Sequence, residues 1–127
     1  MKSPRIYAME VTNYCNGRCT WCPRSKMKRS LGLIQMDTVR KVVEYCSKVG
    51  QDYIALHHMG EPLLHPRIID IIKMFKESGV NTELSTNGKL LSKYGLDLLD
   101  SGITRVRIAV DSGYNQAHFK TFLKYFL

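Results

Sequence analysis

Residues 11–23, VTNYCNGRCTWCP, carry Cys15, Cys19 and Cys22, three of the chain's four cysteines, at C-x3-C-x2-C spacing directly after an apolar, strand-like run. Three thiolates held this close can wrap one face of a metal cluster, and Gly17 gives the loop freedom to turn back on itself. A cubane iron–sulfur cluster normally takes four cysteine thiolates, so a loop offering three leaves one iron open to a ligand from outside the protein. That open iron is where chemistry can happen. Zinc fits less well, because a structural zinc site usually has two C-x2-C pairs or a cysteine pair with a histidine pair. This chain has one C-x2-C and no H-x3-5-H, and His57 and His58 are adjacent, so they would point to opposite faces of an extended segment. A disulfide framework fits least, since it would bring a secretory signal and cysteines spread along the chain.

Outward from this loop, apolar periodicity alternates between two values. Residues 5–11 read as a first strand, with the cysteine loop leaving its C-terminal end. Met36, Val39, Val42, Val43, Cys46 and Val49 recur at helical spacing, with Asp37 placed to cap and Gly50 to stop. Cys46 falls on that stripe and reads as a buried small hydrophobe, not a fourth ligand. Residues 53–57 form a second strand, ending in a turn at His58, Met59, Gly60, Glu61 and Pro62. Pro66 opens a second helix with Ile68, Ile71, Ile72 and Phe75 on its inner face. Residues 81–85 form a third strand before the turn Thr86, Asn87, Gly88, and residues 90–100 a third helix. Residues 104–110 alternate as a fourth strand that ends at Asp111, Ser112 and Gly113, and Phe119, Phe122, Leu123 and Phe126 give a last helical stripe.

Four strands alternating with helices imply right-handed crossovers and a parallel sheet, an α/β fold. Ligands bind such sheets at the C-terminal strand ends. Each polar turn of interest follows a strand, so the cysteine loop, Gly60-Glu61, Thr86-Asn87-Gly88 and Asp111-Ser112 converge on one rim. This convergence argues for a site without any family name.

The 127 residues are expected to form one domain, large enough to bury about two-thirds of its unfolded surface. The opening MKSPRIYAMEV holds no apolar run long enough for a signal peptide or a membrane span, and clustered thiols then point to a reducing, cytoplasmic setting without a membrane partner. The net charge of +8 is concentrated at Arg24, Lys26, Lys28 and Arg29, with Arg18 inside the loop. Such a patch attracts an acidic substrate, a nucleic-acid backbone or an acidic electron donor. No aromatic side chains interleave within residues 24–29, which makes nucleic acid the weaker reading.

The spacing of the three cysteines, with Trp21 just before the last, resembles the radical S-adenosylmethionine (SAM) superfamily, and the similarity runs from EVTNYCNGRCTWCP to RIAVDS. The resemblance implies a partial (β/α) barrel with about four parallel strands here, stopping before the family's fifth and sixth. It implies a [4Fe-4S] cluster on Cys15, Cys19 and Cys22, and a 5′-deoxyadenosyl radical made from SAM to modify a peptide or small metabolite. It further implies SAM contacts at Gly60 and Glu61 for the amino group, Thr86 and Asn87 after the third strand, Asp111 for the ribose and Trp21 for the adenine. Met59 stands where the family has a first glycine, and Ala109 where some relatives have serine. The implied partners are an electron donor such as flavodoxin or ferredoxin and a partner chain that completes the barrel. The alternatives are a non-catalytic cluster-binding remnant, half of a split assembly, and, more weakly, a zinc module.

Overall fold

The computed structural model describes residues 2–110, 116, 119, 120, 123 and 124. Asp111, Phe122 and Phe126 lie outside these. Apolar side chains at three- and four-residue spacing build helices α1 (Met36–Lys48), α2 (Ile68–Glu77) and α3 (Leu91–Asp100), each followed by a strand: β1 (Tyr53–Ala55), β2 (Asn81–Thr86) and β3 (Arg105–Ile108). The strands are parallel in the order β1-β2-β3, with Ala55 opposite Glu83 and Glu83 opposite Arg105. Spatial order equals chain order, as in a barrel wall or in one half of a doubly wound sheet, whose order reverses only between its halves.

The core lies between one sheet face and the helices. Ile54, Leu56 and Leu84 of the sheet region pack with Val39, Val43 and Cys46 of α1, Ile68, Ile71, Ile72 and Phe75 of α2, and Leu91 and Leu98 of α3. Each large aliphatic or aromatic side chain so buried contributes about 1.5–3 kcal/mol. Cys46 is fully buried, and burial pushes its thiol pKa up, as expected for a small hydrophobe on the helical stripe.

The structure departs from the sequence reading at the first strand. Among the described residues three strands form, not four, because residues 5–11 meet β1 only through a single parallel bridge between Ala8 and Ala55. Met9 N–H donates to the Ala55 carbonyl at 2.8 Å, and Ala55 N–H to the Tyr7 carbonyl at 3.0 Å. On one side of the bridge, the Gln51 amide replaces the ladder: its Oε1 accepts Ile6 N–H at 2.9 Å, and its Nε2 donates to the Ile6 carbonyl at 2.6 Å and the Tyr53 carbonyl at 2.7 Å. On the other side, Thr12 pairs antiparallel with Leu33.

Smaller corrections concern the helix starts. Gln35, not Asp37, occupies the N-cap of α1, and Asp37 stands in the first turn, where its charge favours the helix dipole and pairs with Arg40. Pro66 precedes α2 by a turn, since the His65 ring accepts Arg67 N–H and the His65 carbonyl accepts Ile68 N–H.

Because Gln51 is 5% exposed and its amide makes three backbone hydrogen bonds, Gln51→Ala should cost about 1–3 kcal/mol by stranding buried backbone groups. The urea-unfolding midpoint measures this, and an unchanged midpoint would show that the bridge at Ala8 holds the segment alone.

Candidate functional site

The cysteine loop is closed at its base by two short polar side chains just ahead of the first cysteine. The Asn13 amide spans the neck, donating from Nδ2 to the Ser30 carbonyl at 2.9 Å and accepting Gly32 N–H on Oδ1 at 2.7 Å. Thr12 donates its hydroxyl to the Gly32 carbonyl at 2.9 Å and accepts Tyr14 N–H at 3.1 Å. Both side chains are 3% exposed. Glu10 adds an ion pair with Arg29 across the same neck and accepts Met59 N–H at 3.0 Å, with the His58 ring at 3.3 Å. Hydrogen bonding to Arg29 is the largest cause that holds the Glu10 carboxyl below its usual pKa, with Met59 N–H and His58 assisting against partial burial. Of the basic run, Arg29 is thus paired while still exposed, Lys26 and Lys28 are exposed, and Arg24 is half-buried.

The turn after β1 docks on this neck. Gly60 has φ +88°, and a Cβ there would lie 2.4 Å from the Thr12 carbonyl oxygen and 2.7 Å from both Asn13 Cα and the Tyr14 carbonyl oxygen. Only glycine fits. Glu61 N–H then donates to the Tyr14 carbonyl at 2.7 Å. The Glu61 carboxylate is 2% exposed and reaches the turn after β2: Oε1 accepts the Thr86 hydroxyl at 2.6 Å and Leu63 N–H at 3.2 Å, and Oε2 accepts Asn87 N–H at 2.8 Å. Burial pushes its pKa up, while these donors and Lys89 pull it back.

Asn87 returns the connection to the cysteine loop. Its Oδ1 accepts Lys89 N–H at 3.0 Å, which turns the amide NH2 toward the loop. There Nδ2 donates to Asn16 Oδ1 at 2.8 Å and lies 4.0 Å from Cys15 Sγ, while Lys89 Nζ donates to the Asn16 carbonyl at 2.6 Å.

All three loop cysteines are thiols, Cys15 and Cys22 half-buried and Cys19 exposed. Gly17 is not among the glycines with positive φ, so the turning freedom expected of it goes unused. What its missing side chain provides is room, since a Cβ there would stand 3.5 Å from Cys15 Sγ and 4.0 Å from Cys19 Sγ. The three cysteines, with Arg18 and Arg24, line a cleft of about 300 Å³. The same three line an adjoining cleft of about 230 Å³ with Trp21, His57, Met59-Gly60-Glu61, Ser85-Thr86-Asn87 and Ala109. Among the described residues no group of three His, Cys, Asp or Glu side chains is drawn together to hold a metal ion. A cubane is wider than one ion, and thiols spread round a cleft with a side-chain-free cradle at Gly17 fit it better.

The sequence-read candidates therefore meet at one rim. Trp21 is 65% exposed over the cleft and is not packed into the core. Thr86 and Glu61 are buried and bonded to each other, and Asn87 faces the cysteine loop. Asp111 lies outside the described residues. Sequence reasoning missed Glu10, Thr12, Asn13, Lys89 and the lining residue His57. The only signal for any of them is the Thr-Asn pair ahead of Cys15, a type of short polar side chain that closes turns on its own backbone.

The Radical SAM superfamily profile matches residues 9–126, almost the whole chain. The chain belongs to the radical SAM superfamily. Enzymes of this family use a 4Fe–4S cluster and S-adenosylmethionine. One relative is a probable GTP 3′,8-cyclase of Methanococcus maripaludis, 32% identical over 110 residues, with 85% of this chain and 37% of the relative covered. Another is the AdoMet-dependent heme synthase of Methanosarcina barkeri, 27% identical over 118 residues, with 91% of this chain and 34% of the relative covered. The crystal structure of BtrN in complex with AdoMet and 2-DOIA superposes with a TM-score of 0.77 at 27% identity, over 85% of this chain and 46% of that one. The chain thus spans less than half the length of each. No helix among the described residues is long and apolar enough to cross a membrane.

Gly60→Ala should cost about 1–3 kcal/mol from the left-handed backbone alone, with the backbone clash added. A lower urea midpoint, together with faster hydrogen exchange at Glu61 N–H, measures it. For Glu10 the folded pKa is below the unfolded one, so its contribution is full above the ordinary carboxylate range and is lost as pH falls through the lowered value. The stability difference between the natural chain and Glu10→Gln should therefore shrink from pH 6 toward about pH 3. A difference independent of pH would show that the Arg29 pair does not hold the loop neck.

Proposed function

We propose that this chain is the cluster- and cofactor-binding part of a radical SAM enzyme that modifies a small metabolite or peptide. The observation that carries this reading is that Cys15, Cys19 and Cys22 share one cleft with the turns that follow β1 and β2. When bound, a reduced cluster supplies the electron that splits SAM into methionine and a 5′-deoxyadenosyl radical. The protein's own part is to hold and orient. The three thiols would ligate the cluster, with Asn13 and Thr12 keeping the loop closed around them. Glu61 keeps the turns after β1 and β2 at a fixed separation, and its carboxylate would face the amino group of SAM. Trp21 offers an exposed aromatic face for a flat ring. No general base is needed for hydrogen abstraction by a radical.

After anaerobic reconstitution, the chain should hold about four irons with matching sulfide. Cys15→Ala, Cys19→Ala and Cys22→Ala should each abolish this, while Cys46→Ala keeps the iron with a modest stability loss from its small cavity. Zinc without sulfide, or cluster loss only in Cys46→Ala, would overturn the assignment. SAM cleavage by the chain alone should be slow, because Met59 and Ala109 depart from the family's pattern and the grip on SAM is spread along the rim. Loss of two hydrogen bonds of about 1 kcal/mol each weakens binding roughly thirtyfold. Chromatography of 5′-deoxyadenosine under a strong reductant checks this, and many turnovers would refute it.

A further inference from the structure

The sheet face turned away from the helices carries a charged group that the cluster and cofactor reading leaves unused. Alternation along the strands puts Tyr53, Ala55 and His57, then Glu83 and Ser85, then Arg105, Arg107 and Ala109 on this face. Glu83 is at its middle and 4% exposed, and the Tyr53 side chain helps to hold its carboxyl below the usual pKa. Arg107 Nη2 lies 3.0 Å from Glu83 Oε1, and Arg105 Nη1 lies 3.4 Å from Oε2. One buried carboxylate therefore fixes two guanidinium groups, and one positive charge remains in excess.

Each guanidinium carries five N–H donors and meets Glu83 through one nitrogen, so most donors are left to other partners. Both arginine side chains remain about 60% exposed. Arg107 is the strand neighbour of Ser85, which lines the cleft beside the cysteines, and His57 lines the same cleft. His57 Nδ1 is buried and has no hydrogen-bond partner. Burial, with Arg107 nearby, outweighs Glu83 and lowers the pKa of that ring, which favours its neutral form.

We infer that Arg105 and Arg107, held by Glu83, recognise a carboxylate or phosphate group of a small-molecule substrate, one of whose other polar atoms meets His57 Nδ1. Calling the bound molecule a substrate rests on the function proposed for the adjoining cleft. Guanidinium forks match the oxygens of both anions two at a time. Fixing the forks in advance lowers the rotamer entropy lost on binding.

The test uses the 127-residue chain without iron, titrated with inorganic phosphate and separately with acetate at constant ionic strength, and followed by NMR. Saturable shifts of the His57 ring and of the Arg105 and Arg107 side-chain signals are expected. Arg107→Gln should weaken the affinity about tenfold, the loss of one charge-assisted hydrogen bond. Arg107→Lys, which keeps the charge but not the fork, should also weaken it, and Lys26→Gln with Lys28→Gln should leave it unchanged. Tighter phosphate than acetate binding assigns a phosphoryl group, and equal binding a carboxylate. Shifts that do not saturate, that survive Arg107→Gln or that depend on Lys26 and Lys28 would overturn the inference. With no iron in the sample, that failure leaves the three-cysteine reading standing. Conversely, a chain that takes up no iron yet binds phosphate at Arg107 would fell the proposed function alone.

Discussion

The backbone at residue 60 passes so close to that of residues 12–14 that no side chain fits between them. Everything on the rim is referred to this contact. It places Glu61 N–H on the Tyr14 carbonyl, which in turn sets the Glu61 carboxylate where Thr86 and Asn87 can donate to it. Asn87, oriented by Lys89 N–H, then reaches Asn16 beside Cys15. The path runs from the cysteine loop to the turn after β1, to the turn after β2 and back, so the rim is closed by polar contacts although the sheet is open. A side chain at position 60 would open it at its first link.

Three glutamates near the site have three different surroundings, and the differences assign their work. Glu10 is held below the ordinary carboxylate pKa, chiefly by Arg29, and acts as an ionic latch on the loop neck. Glu83 is also lowered. Its burial opposes the charge, but Tyr53, Arg107 and Arg105 together outweigh that burial. Glu61 is the one whose burial wins, which raises its pKa despite three hydrogen bonds. Its sign is opposite to that of Glu10: the contribution is full below the unfolded pKa and declines as pH rises through the folded one. Glu61 is therefore a structural acceptor under electrostatic load, and a cation placed near it would relieve that load. This is a physical reason for the rim to favour a positively charged group.

The parallel α/β order and the three helices were legible because apolar spacing reports which face a helix or strand buries. The cysteine loop was legible because its ligands are local in sequence. The first strand was misread for the converse reason. Residues 5–11 have strand-like composition, but what they pair with depends on Gln51, a side chain 45 residues from Ile6 whose amide takes the place of a ladder. Composition carries no trace of such a substitution. Asp37 falls two residues past the cap because the cap is set by where the extended backbone at Gln35 enters the helix, not by which nearby side chain caps best. Glu10, Lys89 and His57 escaped because each gains its meaning only from a residue far along the chain.

The distribution of positive charge can now be divided by function. Arg29 pairs with Glu10, while Arg105 and Arg107 share the single carboxylate of Glu83. Arg18 and Arg24 line the cleft with the three cysteines. If the loop holds a cluster as proposed, the ligated site would carry a net negative charge, and guanidinium groups on the same walls would offset it where a neutral lining would not. Of the basic run after the loop, Arg24 lines that cleft and Arg29 pairs with Glu10. Lys26 and Lys28, exposed on either side of Met27, are what remains of it for an acidic partner at the surface. A patch this small and this exposed gives an attraction that ordinary salt largely screens.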